Sequence, residues 1–304
     1  MTADHSRLGA LARLENVTLD RVVRSARFRT MHMLGRLEVV RTLTGMGLRR
    51  EREVSSTVFP AGSVERGVAD LKRDGVAFGF DLPTETRDEI LDWASRTPVY
   101  GNLEKAWGFH VNQRKEAERR AGKAFTVAHF YNATSCPAIA RLVNDPVVNE
   151  IALRYIGPRA KFVSTHAWWS FATHVAESER NEFAQQFHFD LDDYRFIKFF
   201  FYLTDVDASS GPHVYMRGTH ARKKLRHRYP MRRLSDKEVL DTYGREHHLV
   251  VTGGAGTGFI VDTYGIHKGE PPRDKDRLVL QLMFAQHHWG WGDDVADPAE
   301  LSLL

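Results

Sequence analysis

The chain has 304 residues, of which 42% are hydrophobic and 27% charged, with a formal net charge of +4 and fifteen histidines. This length suits one large domain or two ordinary ones and is sufficient for a buried core. The longest apolar run, Phe199 to Leu203, is far shorter than the roughly 20 residues that span a bilayer. A single cysteine, Cys136, excludes an intramolecular disulfide framework and any Cys-x-x-Cys site. The polar N-terminal residues lack a signal-peptide pattern, so we expect a cytoplasmic protein.

The first fifty residues differ in pattern from the rest of the chain. Between Ser6 and Glu53, apolar residues recur at three- and four-residue steps, with arginines between them. This pattern predicts one or two basic amphipathic helices that end near Gly45 or Gly47. We expect residues 1–55 to form a basic helical extension packed on the core, and residues 56–304 to form the main domain. A peripheral membrane or partner contact through these helices is the alternative.

Short helices and one strand are predicted next. Residues 62–75 predict a helix that stops at a glycine, and Val76 to Phe80 predict a strand. Residues 82–97 predict a helix with a threonine cap. Two further short helices follow over residues 136–145 and 146–157, the second with Pro146 in its first turn.

After Gly157 the chain becomes rich in β-branched and aromatic residues separated by Gly, Pro, Asp and Ser. One helix, capped by Ser235 and closed by Gly244, interrupts this half. Many short strands of this kind predict a sandwich or a rolled-up jelly-roll barrel. The predicted fold class is therefore mainly β with flanking helices (α+β). The predicted strands lie within residues 161–171, 195–203, 213–218, 247–253, 257–262 and 277–288.

The segment QQFHFDLDDY, residues 185–194, places His188 and Asp190 two positions apart. On an extended strand both side chains point to the same face. A neutral imidazole and a carboxylate that converge on one side are suitable ligands for a divalent metal. The pair is not specific by itself, because a chain this rich in histidine and acidic residues contains such pairs by chance. A surface histidine beside a solvated acidic run is the alternative.

Two later residues, His267 and Arg277, make the pair informative. His267 follows a glycine-initiated strand, and Arg277 begins the final strand. A third ligand on a separate strand would complete a set of two histidines and one carboxylate, which leaves three adjacent metal positions open. Arg277 supplies a planar, permanently charged fork for a carboxylate. The alternatives are an ordinary strand-end histidine and an arginine paired with Asp274 or Asp276.

Strand alternation separates pocket-facing from core-facing side chains. On the final strand the mixed face suits a pocket and consists of Arg277, Val279, Gln281 and Met283. The core face of the Phe-rich strand consists of Ile197, Phe199, Phe201 and Leu203. On its other face we expect one of two arrangements. Either Lys198 and Tyr202 contact a bound ligand, or Lys198 lies on an edge strand and extends its charged end to solvent. Trp168 and Trp169 are expected to divide between core and pocket.

The remaining histidines and the basic run have no ligand-like pattern. The run from Arg217 to Arg233 is either a solvated face or a surface that steers an anionic substrate. Histidines without an acidic partner at ligand spacing are predicted to be structural or surface groups: His213, His220, His227, His247, His248, His287 and His288.

Four strings carry a family resemblance. The strings HFD (188–190), GPHVYMRGTH (211–220), HKG (267–269) and DRLVLQL (276–282) resemble the phytanoyl-CoA dioxygenase family of Fe(II)- and 2-oxoglutarate-dependent oxygenases. The resemblance is strongest over residues 160–290 and extends weakly to LKRDGVAFGF, residues 71–80. It implies a double-stranded β-helix, also called a jelly-roll or cupin-like core.

The same resemblance implies the ligand roles. Fe(II) would be held by His188, Asp190 and His267, and Arg277 would bind 2-oxoglutarate, with O2 as the second co-substrate. Two positions depart from the family pattern. Arg217 stands where the family often has proline, and Gly269 stands where some members carry a hydroxyl residue.

The resemblance implies that an unactivated C–H bond of a small metabolite is hydroxylated, with release of succinate and CO2. The positive run adds the expectation that this metabolite is anionic or carrier-linked. Asp190 favours hydroxylation, or desaturation or cyclisation, because related halogenases lack the carboxylate. One alternative is a cupin-like metalloenzyme that does not use 2-oxoglutarate. Another is a non-enzymatic basic protein that binds nucleic acid or a membrane surface, although no nucleic-acid module is present and we expect no nucleic-acid partner.

Overall fold

A computed structural model of the chain describes residues 19–47, 52–60, 63–173, 186–289 and 294–304. The part of the predicted N-terminal helices before Leu19 lies outside these ranges. Within them, no helix has the length and apolar character that crossing a membrane requires.

The helices of the described residues lie before, between and after the strands. They are α1 (Leu19–Leu34), α2 (Glu38–Gly45), α3 (Ser63–Asp74), α4 (Thr84–Arg96), α5 (Arg114–Ala121), α6 (Pro137–Val143), α7 (Pro146–Ile156), α8 (Thr219–Arg222), α9 (Leu225–Arg228) and α10 (Asp236–Tyr243). Short 3₁₀ turns cover Val111–Gln113, Ala133–Ser135, Arg245–His247 and Pro298–Glu300.

The strands form two antiparallel sheets. They are β1 (Val76–Phe78), β2 (Val99–Gly101), β3 (Gly108–Phe109), β4 (Val127–Phe130), β5 (Lys161–Ser170), β6 (Phe196–Tyr202), β7 (His213–Met216), β8 (His248–Val251), β9 (Gly258–Val261), β10 (His267–Gly269) and β11 (Arg277–Ala285). The large sheet has the order β1-β9-β6-β11-β5-β4-β2-β3, and the small sheet has the order β10-β7-β8.

Side chains from both sheets meet in an inner cluster. Phe200 and Phe259 of the large sheet share it with Tyr215 and Val251 of the small sheet. Because the inner faces pack on each other while helices cover the outer face of the large sheet, the structure is a double-stranded β-helix. The predicted α+β class with a jelly-roll core is therefore confirmed.

The outer core lies between the large sheet and helices α3, α4, α6 and α7. The predicted core face of β6 is confirmed, since Ile197, Phe199, Phe201 and Leu203 all belong to this cluster. Burial of each such large apolar side chain contributes roughly 1.5–3 kcal/mol. Strand β6 lies between β9 and β11, so the expectation that Lys198 lies on an edge strand is wrong.

Local signals placed most helix ends correctly. The Ser235 hydroxyl accepts a hydrogen bond from the Glu238 amide at the start of α10, and Gly244 ends that helix. The predicted threonine cap of α4 is wrong, because the helix begins at Thr84 itself and Pro83 occupies the cap position without a side-chain bond. The first strand also ends earlier than predicted, since Gly79 turns the chain with a φ of +85°.

The helices before the barrel contact it through buried side chains. Helix α2 ends at Gly45, as the sequence predicts. Met31 of α1 is fully buried in a cluster with Phe196 and Tyr264. Arg41 of α2 is also buried, so the arginines of this segment do not all face solvent.

The basic run 217–233 is only partly solvated. It forms α8 and α9 and buries Lys223 and His227. Arg232 pairs with Glu238. The prediction of a simple solvated face is therefore wrong for the buried members.

Candidate metal centre

Backbone hydrogen bonds bring the two predicted ligand segments together. His188 and His267 form an antiparallel bridge, in which each amide donates to the other carbonyl at 2.9 and 2.8 Å. The Asp190 amide donates to the carbonyl of Thr263 at 2.8 Å. Segments almost eighty residues apart in sequence are thus fixed in register, and their side chains face the same cavity.

The side chains of His188, Asp190 and His267 converge. Their ligand atoms all lie within 4.8 Å of one another. The Nε2 atoms of His188 and His267 lie 3.5 Å from Oδ1 and Oδ2 of Asp190, respectively. Two imidazole nitrogens and one carboxylate on one face form a donor set that suits a divalent transition metal with open positions.

Both imidazoles are held with Nε2 towards the centre of this set. Nδ1 of His188 lies 2.8 Å from the Gln186 carbonyl, and Nδ1 of His267 lies 2.9 Å from the Gly265 carbonyl. A carbonyl oxygen only accepts, so each Nδ1 carries the proton and each Nε2 has a free lone pair. Burial lowers the pKa of His188 to about 3 and also lowers the pKa of His267. Both rings are therefore neutral and able to bind a metal at neutral pH.

Lys198 of β6 neutralises the carboxylates at the centre. Its Nζ lies 2.7 Å from Asp190 Oδ2 and 2.8 Å from Asp192 Oδ2. Burial alone would raise the pKa of Asp190, but the Lys198 charge and hydrogen bond hold it well below its ordinary value. Burial raises the pKa of Asp192. Lys198 thus keeps Asp190 ionised in a half-buried position.

A cavity of about 250 Å³ opens from these side chains towards Arg277. Arg277 is buried, and its Nη2 donates to the Ser170 hydroxyl at 3.3 Å. Its Nε has no hydrogen-bond partner among the described residues, and burial lowers the pKa of the guanidinium. The alternative in which Arg277 forms a surface ion pair with Asp276 is wrong, because the Asp276 carboxylate lies 3.1 Å from Arg114 instead.

Strand alternation predicted part of the cavity wall. Val279 and Gln281 line it beside Arg277, and Trp168 lines it while Trp169 packs on the outer core. Tyr202 of β6 also faces this cavity. These positions confirm the face assignments for β5, β6 and β11.

Sequence reasoning missed His213 and Phe259. His213 is 7% exposed and lines the cavity, and burial lowers its pKa well below the ordinary value. Of the two predicted roles, a structural or a surface group, burial excludes the surface role. One available signal was its position in the string GPHVY, where it shares a strand face with Tyr215.

Gly269, one of the two departures from the family pattern, also lines the cavity. A Cβ atom at this position would lie 3.9 Å from Nη2 of Arg277. The glycine therefore leaves the side of the guanidinium open, where a hydroxyl side chain would contact it.

Comparison with known proteins finds no matching family model and no matching curated protein. Solved structures do match. The non-heme alpha ketoglutarate dependent epimerase SnoN from nogalamycin biosynthesis has 13% identity and a TM-score of 0.49, over 77% of this chain and 89% of that chain. EctD from S. alaskensis with bound Fe has 14% identity and a TM-score of 0.49, over 80% of each chain.

A third similar structure is HygX from Streptomyces hygroscopicus, with nickel, 2-oxoglutarate and hygromycin B bound. It has 12% identity and a TM-score of 0.47, over 72% of this chain and 86% of that chain. Because every one of these TM-scores is below 0.5, the similarities assign neither an activity nor a substrate to this chain.

Proposed function

We propose that this chain is an Fe(II)- and 2-oxoglutarate-dependent oxygenase of the phytanoyl-CoA dioxygenase type, which hydroxylates a small metabolite and releases succinate and CO2. One observation carries the proposal. The donor set of His188, Asp190 and His267 faces a buried arginine, Arg277, across a single cavity.

The donor set fits Fe(II). Two neutral imidazoles and one ionised carboxylate would hold this ion and leave coordination positions open for exogenous ligands. When bound there with 2-oxoglutarate and O2, the iron supplies the oxidation of an unactivated C–H bond. The carbonyls of Gln186 and Gly265 fix the orientation of the two histidine ligands.

Arg277 fits the far carboxylate of 2-oxoglutarate. A buried guanidinium without an acidic partner is costly, and its unpaired Nε is satisfied once an anion enters the cavity. Each such charge-assisted hydrogen bond is worth about 1.5–3 kcal/mol. A cupin-like enzyme that does not use 2-oxoglutarate has no need of this arginine, so Arg277 favours the oxygenase over that alternative.

The remaining walls serve to exclude water and to orient the substrate. Trp168, Phe200 and Phe259 present apolar surface to the cavity. An apolar wall beside the metal restricts access to one face and orients one C–H bond of the substrate.

An anionic or carrier-linked substrate is supported by Arg233. This residue is exposed, lies close enough to His188 to lower its pKa, and forms no ion pair among the described residues. It would attract a phosphate or carboxylate group towards the side of the site that carries His188. If so, Arg233→Gln raises the KM for the substrate and weakens its dependence on salt concentration, while kcat stays within about twofold. An unchanged KM would argue for a neutral substrate.

We also propose that residues 1–55 form a basic helical extension packed on an oxygenase domain of residues 56–304. The buried contacts of Met31 and Arg41 with residues of the barrel support this packing. A non-enzymatic nucleic-acid or membrane binder is disfavoured, because Lys223 and His227 of the basic run are buried and Arg232 is paired with Glu238.

The test is anaerobic binding of Fe(II) and 2-oxoglutarate. We expect the wild-type protein to bind both and to develop a weak visible charge-transfer band. His188→Ala and His267→Ala should each abolish the band, because each removes one of three metal ligands. His247→Ala, at a half-buried histidine outside the cavity, should retain it as the matched control.

A substrate screen completes this test. Succinate release should rise above its uncoupled rate when the correct metabolite is added, and anionic and CoA-linked metabolites are the first to try. Full binding of Fe(II) and 2-oxoglutarate by both alanine variants would overturn the proposed site.

A further inference from the structure

His213 is a buried imidazole that the metal set does not use. It is 7% exposed, and its Nε2 has no hydrogen-bond partner among the described residues. Leaving such an atom unpaired inside a protein costs free energy, which a bound ligand recovers. The imidazole also lines the cavity between the two histidine ligands and Arg277.

Ring contacts fix the position of this imidazole. It stacks on His267 with ring centroids 5.4 Å apart and planes inclined by 22°. Phe200 and Phe259 lie against it, with centroid distances of 5.2 and 5.6 Å. Three rings therefore surround His213 and hold it next to a proposed metal ligand.

Strand register places His213 beside the guanidinium as well. His213 of β7 pairs with Gly269 of β10. Gly269 has no Cβ, and a Cβ atom there would lie 3.9 Å from Nη2 of Arg277, so the space beside the guanidinium stays open. The unpaired Nε2 of His213 and the unpaired Nε of Arg277 thus belong to one cavity. The arginine Nε–H donates to an anion, and the imidazole does so in the tautomer that carries its proton on Nε2.

We propose that His213 is a second binding residue for the dicarboxylate co-substrate, and that its Nε2–H donates a hydrogen bond to a carboxylate oxygen held by Arg277. This inference rests on the proposed function. A neutral imidazole suits the position, because a second cation beside Arg277 would be repelled before the ligand arrives. His213 also replaces, from the neighbouring strand of the same sheet, the contact that a hydroxyl side chain at position 269 would make.

The test is calorimetric titration of 2-oxoglutarate into the full chain loaded with Ni(II), which prevents turnover. His213→Phe keeps a flat ring but removes the donor, and we expect it to raise the Kd of 2-oxoglutarate about tenfold or more. His213→Gln retains a donor amide and should stay within about threefold of wild type. His247→Phe, outside the cavity, should bind as wild type does.

Titration with a second ligand identifies which carboxylate of 2-oxoglutarate His213 binds. 2-Oxobutyrate has the metal-binding 2-oxo acid but lacks the far carboxylate, so its Kd should be the same in wild type and His213→Phe. An equal loss for both ligands would indicate a general disturbance of the metal site and would overturn the inference. Unchanged binding of 2-oxoglutarate by His213→Phe would overturn it too. Failure of the wild-type protein to bind 2-oxoglutarate would instead overturn the proposed function.

Discussion

Arg41 in α2 lies with its Nη2 3.6 Å from Oδ2 of Asp262, and both side chains are buried. Asp262 begins the turn that leads to His267, and its carboxylate also accepts a hydrogen bond from the Tyr155 hydroxyl at 2.8 Å. The guanidinium carbon of Arg41 lies 3.7 Å from the ring centre of Tyr264 in the same turn. A helix before the barrel is thereby joined to the segment that carries a proposed metal ligand.

We predict that Arg41→Leu destabilises the protein. Removal of one partner leaves the Asp262 carboxylate buried without its counter-charge, a change that typically costs about 3–5 kcal/mol. Denaturant unfolding of the metal-free protein measures this loss. The control is Arg29→Leu at an exposed position of α1, which should change the free energy of unfolding by less than about 0.5 kcal/mol. Equal effects of the two substitutions would contradict the role of Arg41.

A second prediction concerns Lys198. In Lys198→Met the carboxylates of Asp190 and Asp192 lose their shared cation, so the metal-free protein should lose about 3–5 kcal/mol of stability. A divalent ion replaces part of that charge, and Ni(II) should raise the Tm of the variant more than the Tm of the wild type. Lys237→Met removes an exposed pair with Asp241 and should show neither effect. A smaller Ni(II) response in Lys198→Met would show that the lysine does not neutralise the site.

Gly265 allows the turn before His267 to pack closely. A Cβ atom there would lie 1.9 Å from the Tyr215 hydroxyl oxygen, so Gly265→Ala must displace either the ring or the turn. We expect a loss of about 1–3 kcal/mol in stability and weaker Ni(II) binding, since the Gly265 carbonyl orients His267. Gly254→Ala is the control, because its nearest atom would be Asp205 Oδ1 at 3.7 Å. Normal Ni(II) affinity in Gly265→Ala would show that the turn tolerates the shift.

A pH dependence follows from His129. Burial lowers the pKa of this imidazole to about 3, and its ring stacks on Trp168 with centroids 5.9 Å apart. Below pH 6.5 the unfolded chain binds a proton that the folded protein does not. The contribution of His129 to stability is therefore complete above pH 6.5 and declines as the pH falls towards 3. The decline is at most about 1.4 kcal/mol per pH unit.

The measurement compares wild type with His129→Gln in denaturant at pH 7 and pH 5. The wild type should lose up to about 2 kcal/mol more than the variant between these values, because only the wild type titrates at this position. Other buried histidines contribute equally to both proteins. Identical pH dependence would show that the folded protein protonates His129 readily.

Much of the site was predictable because it depends on short-range chemistry. The spacing of His188 and Asp190 places both side chains on one face of any extended segment. Alternation along β6 and β11 separated Phe199 and Leu280 from Lys198 and Arg277, since strand side chains alternate between core and cavity. These inferences needed no knowledge of which strands pair.

The tertiary structure decided what depends on pairing between distant segments. No local pattern predicts that Arg41 lies against Asp262 or that Lys198 lies against Asp190, because the partners of each ion pair belong to separate elements. His213 likewise became a site residue only when β7 paired with β10 and placed it beside Arg277. Sequence alone thus determined residue chemistry, strand faces and the candidate ligands. Only the folded barrel determined which buried polar atoms find partners and which are left for a ligand, because that depends on long-range packing.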